Sequence, residues 1–258
     1  AKIRDIFIAE RGHVLVDADY SQIEFRLLAN YTKDPQMLSD MENNVDIHVE
    51  NAMLIYGCAR EDVTEEKRQN AKGLTYAMIY GASAYRLAQI YGFTVERGQE
   101  IIDHLLTKKY PGAKRYHEAM IFSARTKGHV TNLFGRRRRL PDILSENQKI
   151  RGHCERQAIN APIQGLAGDL LYAAMIRLQL RWDEDPFTKM VLTTHDSLTH
   201  EVKVEDQNRA IAIIHNEMTR PFPGLIVSLP VEIKVGSSLG KMKKLSKGEL
   251  QAIVKQYA

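Results

Sequence analysis

The β-prone runs of this chain are confined to its two ends, and that placement restricts the fold more than any other feature. His13-Val14-Leu15-Val16 reads as a short buried strand that delivers Asp17, Ala18 and Asp19 to its C-terminal end. Met190–Thr194 and Leu198–Val202 are two further β-prone runs, with His195, Asp196 and Ser197 at the bend between them; Val231–Val235 is the last. From Asp34 to about Gly128 the pattern is mostly helical. Strands at both ends with helices inserted between them predict an α+β fold, a small antiparallel sheet interrupted by a helical subdomain.

Local signals divide the helical part. Ser21 and Glu24 have capping-box spacing, with Ile23, Leu27 and Leu28 as the apolar face behind them. Thr64, followed by Glu65 and Glu66, suits the start of a helix running through Met78. Further helices are expected over Val95–Lys108 and Tyr116–Thr126, the second stopping at Gly128. Gly135–Pro141 reads as loop, and a long helix is expected to begin after Pro162–Gly165 and run to about Trp182. Asp183–Pro186 reads as a turn, and Ser246 with Glu249 opens a short C-terminal helix.

Composition excludes several classes. With 44% hydrophobic and 26% charged residues the chain is an ordinary globular one, long enough to bury a core. No apolar run approaches the ~20 residues that span a bilayer, and the opening AKIRDIFIAERGH lacks a signal-peptide core. No repeat is evident, and Cys58 and Cys154 show no metal-ligand spacing and read as two reduced thiols. The net charge of +4 is a weak pointer to nucleic acid. Its distribution says more: Arg136, Arg137, Arg138 and Arg139 are consecutive, just after Arg125, Lys127 and His129. Such a cluster is either a solvated loop or a phosphate-contacting segment.

Three constellations carry possible chemistry. Asp19 stands where a strand hands over to a helix, and Asp196 at a hairpin tip. If those strands are neighbours, the two carboxylates can share divalent cations, as phosphoryl transfer requires; singly, each would be read as a turn cap. Arg68, Lys72, Tyr76 and Tyr80 recur every four residues, one stripe of a helix. Two cations followed by two rings suit a nucleoside triphosphate, but equally describe a basic turn followed by core tyrosines. Arg156, Asn160 and Gln164 repeat the spacing before Gly165, as polar side chains that track a duplex or as a capped helix entry.

Taken in order, these segments resemble family A DNA polymerases of the bacterial DNA polymerase I type. Asp17-Ala18-Asp19-Tyr20-Ser21-Gln22-Ile23-Glu24-Phe25-Arg26 is similar to that family's first palm motif, and Arg68, Lys72, Tyr76, Tyr80 and Gly81 to its fingers helix. Arg156, Asn160, Pro162, Gln164 and Gly165 resemble the segment before the last palm motif, which His195-Asp196 matches. Asp46-Ile47-His48, Tyr110-Pro111-Gly112, Gly135-Arg136-Arg137 and Val235-Gly236 agree in the same order. The resemblance implies a palm in two parts, 1–33 and 153–240, helical fingers over 34–152, and a basic tail with a short helix over 241–258. It implies Asp19 and Asp196, with the Tyr20 carbonyl, as ligands of two Mg²⁺ ions, for which Mn²⁺ substitutes. Lys72 and Arg68 would hold the triphosphate, Tyr76 and Tyr80 the nucleoside, and Glu24 would exclude ribose. Gln22 would assist at the template or primer strand, His195 at the primer terminus, and Arg156, Asn160, Gln164, Arg136 and Arg137 would contact DNA. Primer-template DNA and dNTP are the implied partners, with no membrane, in bacterial or phage replication machinery of the cytoplasm.

The departures from the pattern matter too. Ser197 stands where the family usually has glutamate, a feature nearer to single-subunit RNA polymerases. Tyr76 replaces the commoner phenylalanine and implies acceptance of dideoxynucleotides, while Thr75 and Ala77 stand for the usual asparagine and glycine. The family's thumb and exonuclease domains precede the palm, and the chain shows no such segment, so a thumb-bearing second polypeptide is expected. The rival functions are an RNA polymerase fragment and a catalytically idle DNA-binding subunit.

Overall fold

The computed structural model describes residues 2–184 and 188–257. Two compact units are present: residues 1–23 with 167–258, and residues 24–166. The fold is α+β, as expected from the placement of the β-prone runs.

The first unit is built on strand β1, His13–Tyr20, which pairs antiparallel on both sides. Its neighbours are β5, Ser197–Lys203, and β6, Val231–Gly236; β4, Thr188–Thr194, and β7, Met242–Lys244, complete the order β4-β5-β1-β6-β7. β1 is longer than its apolar run predicts. Alternation continues through it, so Val16, Ala18 and Tyr20 are buried while Asp17 and Asp19 lie on the other face, inside the strand. β7 escaped the sequence because a three-residue basic strand has no apolar signature, and it lies in the segment expected only to carry a tail helix. A register shift between Met190 and Leu192 leaves Val191 exposed and bends the edge strand β4, which blunts it as a pairing template.

Behind the apolar sheet face lies helix α9, Gln207–Thr219; the Tyr20 hydroxyl donates to the Met218 carbonyl at 2.9 Å, buried. His200, fully buried on β5, faces the Trp182 ring edge-on at 5.8 Å, and neither of its ring nitrogens has a partner among the described residues. The C-terminal helix α10, Lys247–Gln256, opens with the expected capping box between Ser246 and Glu249. The turn expected over Asp183–Pro186 falls partly outside the described residues.

The second unit is helical. Its elements are α1 (Ile23–Thr32, crossing from the first unit), α2 (Pro35–Glu42), α3 (Ile47–Tyr56), α4 (Glu65–Ile79), α5 (Ala84–Tyr91), α6 (Val95–Asp103) and α7 (Pro111–Lys127). Thr64 caps α4, its side chain accepting from Lys67 N at 3.3 Å. α1 begins after Gln22, whose φ is 54°, so Gln22 rather than Ser21 precedes the first helical residue and the Ser21–Glu24 spacing falls one residue out of capping-box register. α7 starts at Pro111, earlier than expected, because proline lacks only an N–H that the first turn does not use. Asp34 ties its start to α2: one carboxylate oxygen caps Gln36 and Met37, the other accepts from Gly112 N at 2.7 Å. A Cβ at Gly112 would stand 2.8 Å from that carboxylate, so the approach requires glycine.

Two expectations fail here for identifiable reasons. Residues 135–141 are not all loop: Arg137–Arg139 form a strand, β3, paired with β2, His129–Thr131. All three arginines are exposed, so no alternation betrays the strand; its place is set by Val130 and Leu140 packing with Ala124, Ile143, Cys154 and Ala158. The long helix α8 runs over Gln148–Trp182 and holds Pro162 in its interior rather than starting after it. Proline costs a helix ~3 kcal/mol. Burial of Ala158, Ile159, Ile163 and Leu166 on the surrounding turns offsets that, and tyrosine hydroxyls reach nearby carbonyls: Tyr116 to Ile159 at 2.9 Å and Tyr31 to Pro162 at 3.4 Å.

Burial pushes the pKa of His200 down to about 3, from 6.5. Below pH 6.5 the unfolded chain therefore takes up a proton that the fold refuses, and stability falls as pH falls, by up to ~1.4 kcal/mol per pH unit. In urea unfolding between pH 7 and 4, wild type is expected to lose stability more steeply than His200→Leu; parallel curves would show that His200 does not titrate this way.

Candidate active site

The polar face of the central sheet is set by register. Asp17 and Asp19 are two apart on β1, opposite Thr199 and Ser197 on β5 and Lys234 and Glu232 on β6. The Thr199 hydroxyl donates to Asp17 at 2.8 Å, and Glu232 pairs with Lys244 at 2.7 Å. Asp196 reaches the same face from the β4–β5 turn, a two-residue loop of His195 and Asp196. His195 has φ 56°, the position where such turns favour glycine, and it holds this conformation without glycine's freedom. The Tyr20 amide donates to the Asp196 carbonyl at 3.2 Å and ties the turn to β1. Asp17, Asp19, His195, Asp196 and Lys234 line one cavity of about 480 Å³, which Arg4 also borders.

The electrostatics are those of two acids competing for one place. The side chains of Asp19 and Asp196 are within hydrogen-bonding reach, and burial followed by the Asp196 charge pushes the Asp19 pKa up to about 7, against an opposing pull from Lys234. Asp19 Oδ1 is buried and has no hydrogen-bond partner among the described residues. A buried carboxylate oxygen left unpaired among the described residues, beside a second carboxylate, fits a hard divalent cation. Among the described residues no cluster of three or more His, Cys, Asp or Glu side chains is arranged as a metal site. Ser197 adds nothing acidic: its hydroxyl donates to the Thr194 carbonyl at 3.1 Å and closes the turn. The Tyr20 ring points into the core, leaving only its backbone to the polar face. Lys234 was missed in the sequence; the alternation of Val231-Glu232-Ile233-Lys234 marks its face only once the pairing with β1 is known.

In the helical unit, α4 carries Arg68, Lys72 and Tyr76 at four-residue spacing, and Tyr80 is the residue that caps its C-terminal end. Tyr76 and Tyr80 stack at 6.4 Å with rings 29° apart, and Lys72 is exposed. Arg68 binds Asp46 at 2.9 Å; Asp46 also caps α3 through the His48 and Val49 amides, and these bonds hold its pKa below the usual range despite burial. His48, which sequence reasoning gave no role, lies 5.9 Å from the Tyr76 ring; burial pushes its pKa down to about 4. On α8, Arg156 and Gln164 are exposed, and Asn160 donates to the Tyr80 carbonyl at 3.4 Å while its own Oδ1 is buried without a partner among the described residues. Arg136 and Arg137 are exposed beside a turn organised by Asn132, which accepts from the Phe134 and Arg136 amides. Glu24 and Gln22 are half-buried at the start of α1.

Fold and site thus define an antiparallel sheet with paired carboxylates on one face, interrupted in sequence by a helical unit with a cation-and-tyrosine stripe. The family model described as DNA polymerase family A matches residues 1–241. The chain is 40% identical over 235 residues to DNA polymerase I of Caldicellulosiruptor bescii, covering 91% of this chain and 27% of the relative. It is 36% identical over 242 residues to DNA polymerase I of Lactococcus lactis subsp. lactis, covering 93% of this chain and 27% of the relative. The solved POL domain of Pol1 from M. smegmatis, in complex with DNA primer-template and dNTP, is similar with a TM-score of 0.84 and 32% identity, over 92% of this chain and 42% of that one. The chain belongs to DNA polymerase family A. It spans about a quarter of the length of these curated relatives (27%). No helix among the described residues is long and apolar enough to cross a membrane.

If Asp19 and Asp196 repel each other in the metal-free protein, Asp196→Asn should stabilise it by about 1 kcal/mol in urea unfolding with EDTA. Mg²⁺ should then raise the melting temperature of wild type and not of the variant; equal responses would separate the pair from metal binding.

Proposed function

We propose that these residues are the palm-and-fingers catalytic region of a template-directed DNA polymerase, extending a primer 3′-hydroxyl with dNTPs and releasing pyrophosphate. The observation that carries the reading is the Asp19–Asp196 pair, side by side on the polar sheet face with an unpartnered oxygen. In this reading residues 1–33 and 153–240 are palm, 34–152 fingers, and 241–258 a basic tail.

Asp19, Asp196 and the Tyr20 carbonyl would hold two Mg²⁺ ions, or Mn²⁺ in their place. When bound, such ions lower the pKa of the attacking hydroxyl and neutralise charge developing on the phosphates. The protein's part is positional. Lys72, exposed on α4, neutralises the triphosphate and offers a proton to departing pyrophosphate; Arg68 assists from the preceding turn, its guanidinium oriented by Asp46. The stacked Tyr76 and Tyr80 give the nucleoside a flat apolar wall. Glu24 crowds the sugar 2′ position and Gln22 steadies the neighbouring strand. His195, held in its strained turn, meets the primer terminus. Arg156, Asn160 and Gln164 on α8, with Arg136 and Arg137, contact the duplex, mostly through phosphate and sugar.

Primer extension with dNTPs or NTPs, with and without a thumb-bearing polypeptide, tests the reading. Asp19→Ala and Asp196→Ala are expected to lower dNTP incorporation by at least about a thousandfold while circular dichroism stays unchanged; substantial residual activity in either variant would refute the assignment. Glu24→Ala should raise ribonucleotide incorporation about tenfold or more. An unchanged sugar preference would remove Glu24 as the gate, and an NTP preference in wild type would make the chain an RNA polymerase.

A further inference from the structure

Thr75 lies on α4 between Lys72 and Tyr76 but turns inward, 1% exposed. Its hydroxyl donates to the Ala71 carbonyl of the preceding turn at 2.7 Å and accepts from Asn51 Nδ2 at 2.7 Å. Asn51, on α3, is fully buried, and its Oδ1 accepts from Lys109 Nζ at 2.7 Å. An unbroken chain of short bonds therefore runs from an ammonium group, through a buried amide and a buried hydroxyl, into the backbone of α4.

Lys109 reaches Asn51 because of a local irregularity. His104–Lys109 is a π-helical turn, closed by the Tyr110 amide on the Leu105 carbonyl at 2.7 Å, five residues back. One extra residue in a turn rotates the succeeding residues by ~100° about the helix axis, which re-aims the side chains at its end. Lys109 Nζ lies 5.4 Å from the centroid of the Tyr110 ring, and the Tyr110 hydroxyl donates to Asp40 at 2.9 Å. Burial lowers the Lys109 pKa, while the Asp40 and Glu50 charges pull the other way.

The mid-helix neighbours of Thr75 on the inward side, Ala71, Leu74 and Met78, are buried and apolar. Such contacts hold a helix against its surroundings but are non-directional and resist rotation about its axis weakly. A hydrogen bond from a fixed amide is directional and sets that rotation. We infer that Asn51 and Lys109 are positioning residues: the Lys109–Asn51–Thr75 relay sets the rotation of α4, and with it where Lys72 and Tyr76 point. What the stripe binds rests on the polymerase reading; the relay does not. The resemblance places an asparagine at position 75; here the amide sits across the contact on Asn51 and the hydroxyl on Thr75, so the two groups can be exchanged as a pair.

The test uses the whole chain on a primed template, with Asn51→Ala, Lys109→Met, the single exchanges Asn51→Thr and Thr75→Asn, and the double exchange. Asn51→Ala and Lys109→Met are expected to raise KM for dNTP about tenfold, with kcat within about threefold and primer-template affinity unchanged. The single exchanges should do the same, and the double exchange should return KM to within about threefold of wild type. Hydrogen exchange supplies an arm independent of catalysis: amides of α4 should exchange faster in Asn51→Ala and Lys109→Met and recover in the double exchange. If wild type incorporates no nucleotide, with or without a thumb-bearing polypeptide, the polymerase reading fails and the exchange arm alone decides the relay. Unchanged α4 exchange overturns the inference. So does a uniform loss of kcat, DNA affinity and melting temperature that the double exchange does not rescue, because that pattern marks a merely structural role.

Discussion

The mutual repulsion of Asp19 and Asp196 is the constraint around which the sheet unit is organised. Two carboxylates are close enough to disturb each other's ionisation, one with a buried oxygen that nothing among the described residues satisfies. Such a pair is costly on its own, and the surroundings hold it in place. β1 is paired on both sides, the Tyr20 amide binds the turn that carries Asp196, and the Tyr20 ring anchors the strand end against Met218. Ser197 closes the turn instead of adding a further acid beside Asp17, Asp19 and Asp196, which limits the negative charge the site must bear. A fold that accepts this cost keeps a place where positive charge is strongly favoured.

The helical unit solves a different problem, holding a stripe of cations and rings at fixed angles on one helix. Arg68 is oriented by a carboxylate that is itself fixed by two backbone amides. Tyr76 and Tyr80 stabilise each other by stacking, and His48, kept neutral by burial, completes the wall beside Tyr76. Thr75 supplies the directional bond on the opposite side of the same helix turn. Charge pairing near the start of α4 is thus followed, around Thr75 and Tyr76, by hydrogen bonding on one side and stacking on the other.

How legible this was depended on whether a residue's role was written into its own neighbourhood. Asp19 and Asp196 each look like turn caps, and only their ordered company suggested a pair. The stripe on α4 was visible because four-residue spacing is a local property of helices. β3 and β7 were invisible because short basic strands carry no apolar alternation, and α8 was truncated because proline is read as a breaker when its buried neighbours are unknown. Lys234 and His48 were passed over for a related reason: each matters through a partner distant in sequence, Asp19 in one case and Tyr76 in the other.

The sequence by itself determined the α+β class, the division into terminal strands and an inserted helical part, the capped starts of α4 and α10, and the motif order that marks the family. These are set by periodicity, capping chemistry and residue identity, all of which act over a few residues. Tertiary structure alone decided that β1 is the central strand, that Asp19 and Asp196 touch, that Ser197 is spent on the turn, and that Lys109 reaches α4 through Asn51. Those outcomes depend on strand register and on one extra residue in a π-helical turn. A shift of a single residue would send each strand side chain to the opposite face and swing each helical one by ~100°, and long-range packing selects the register.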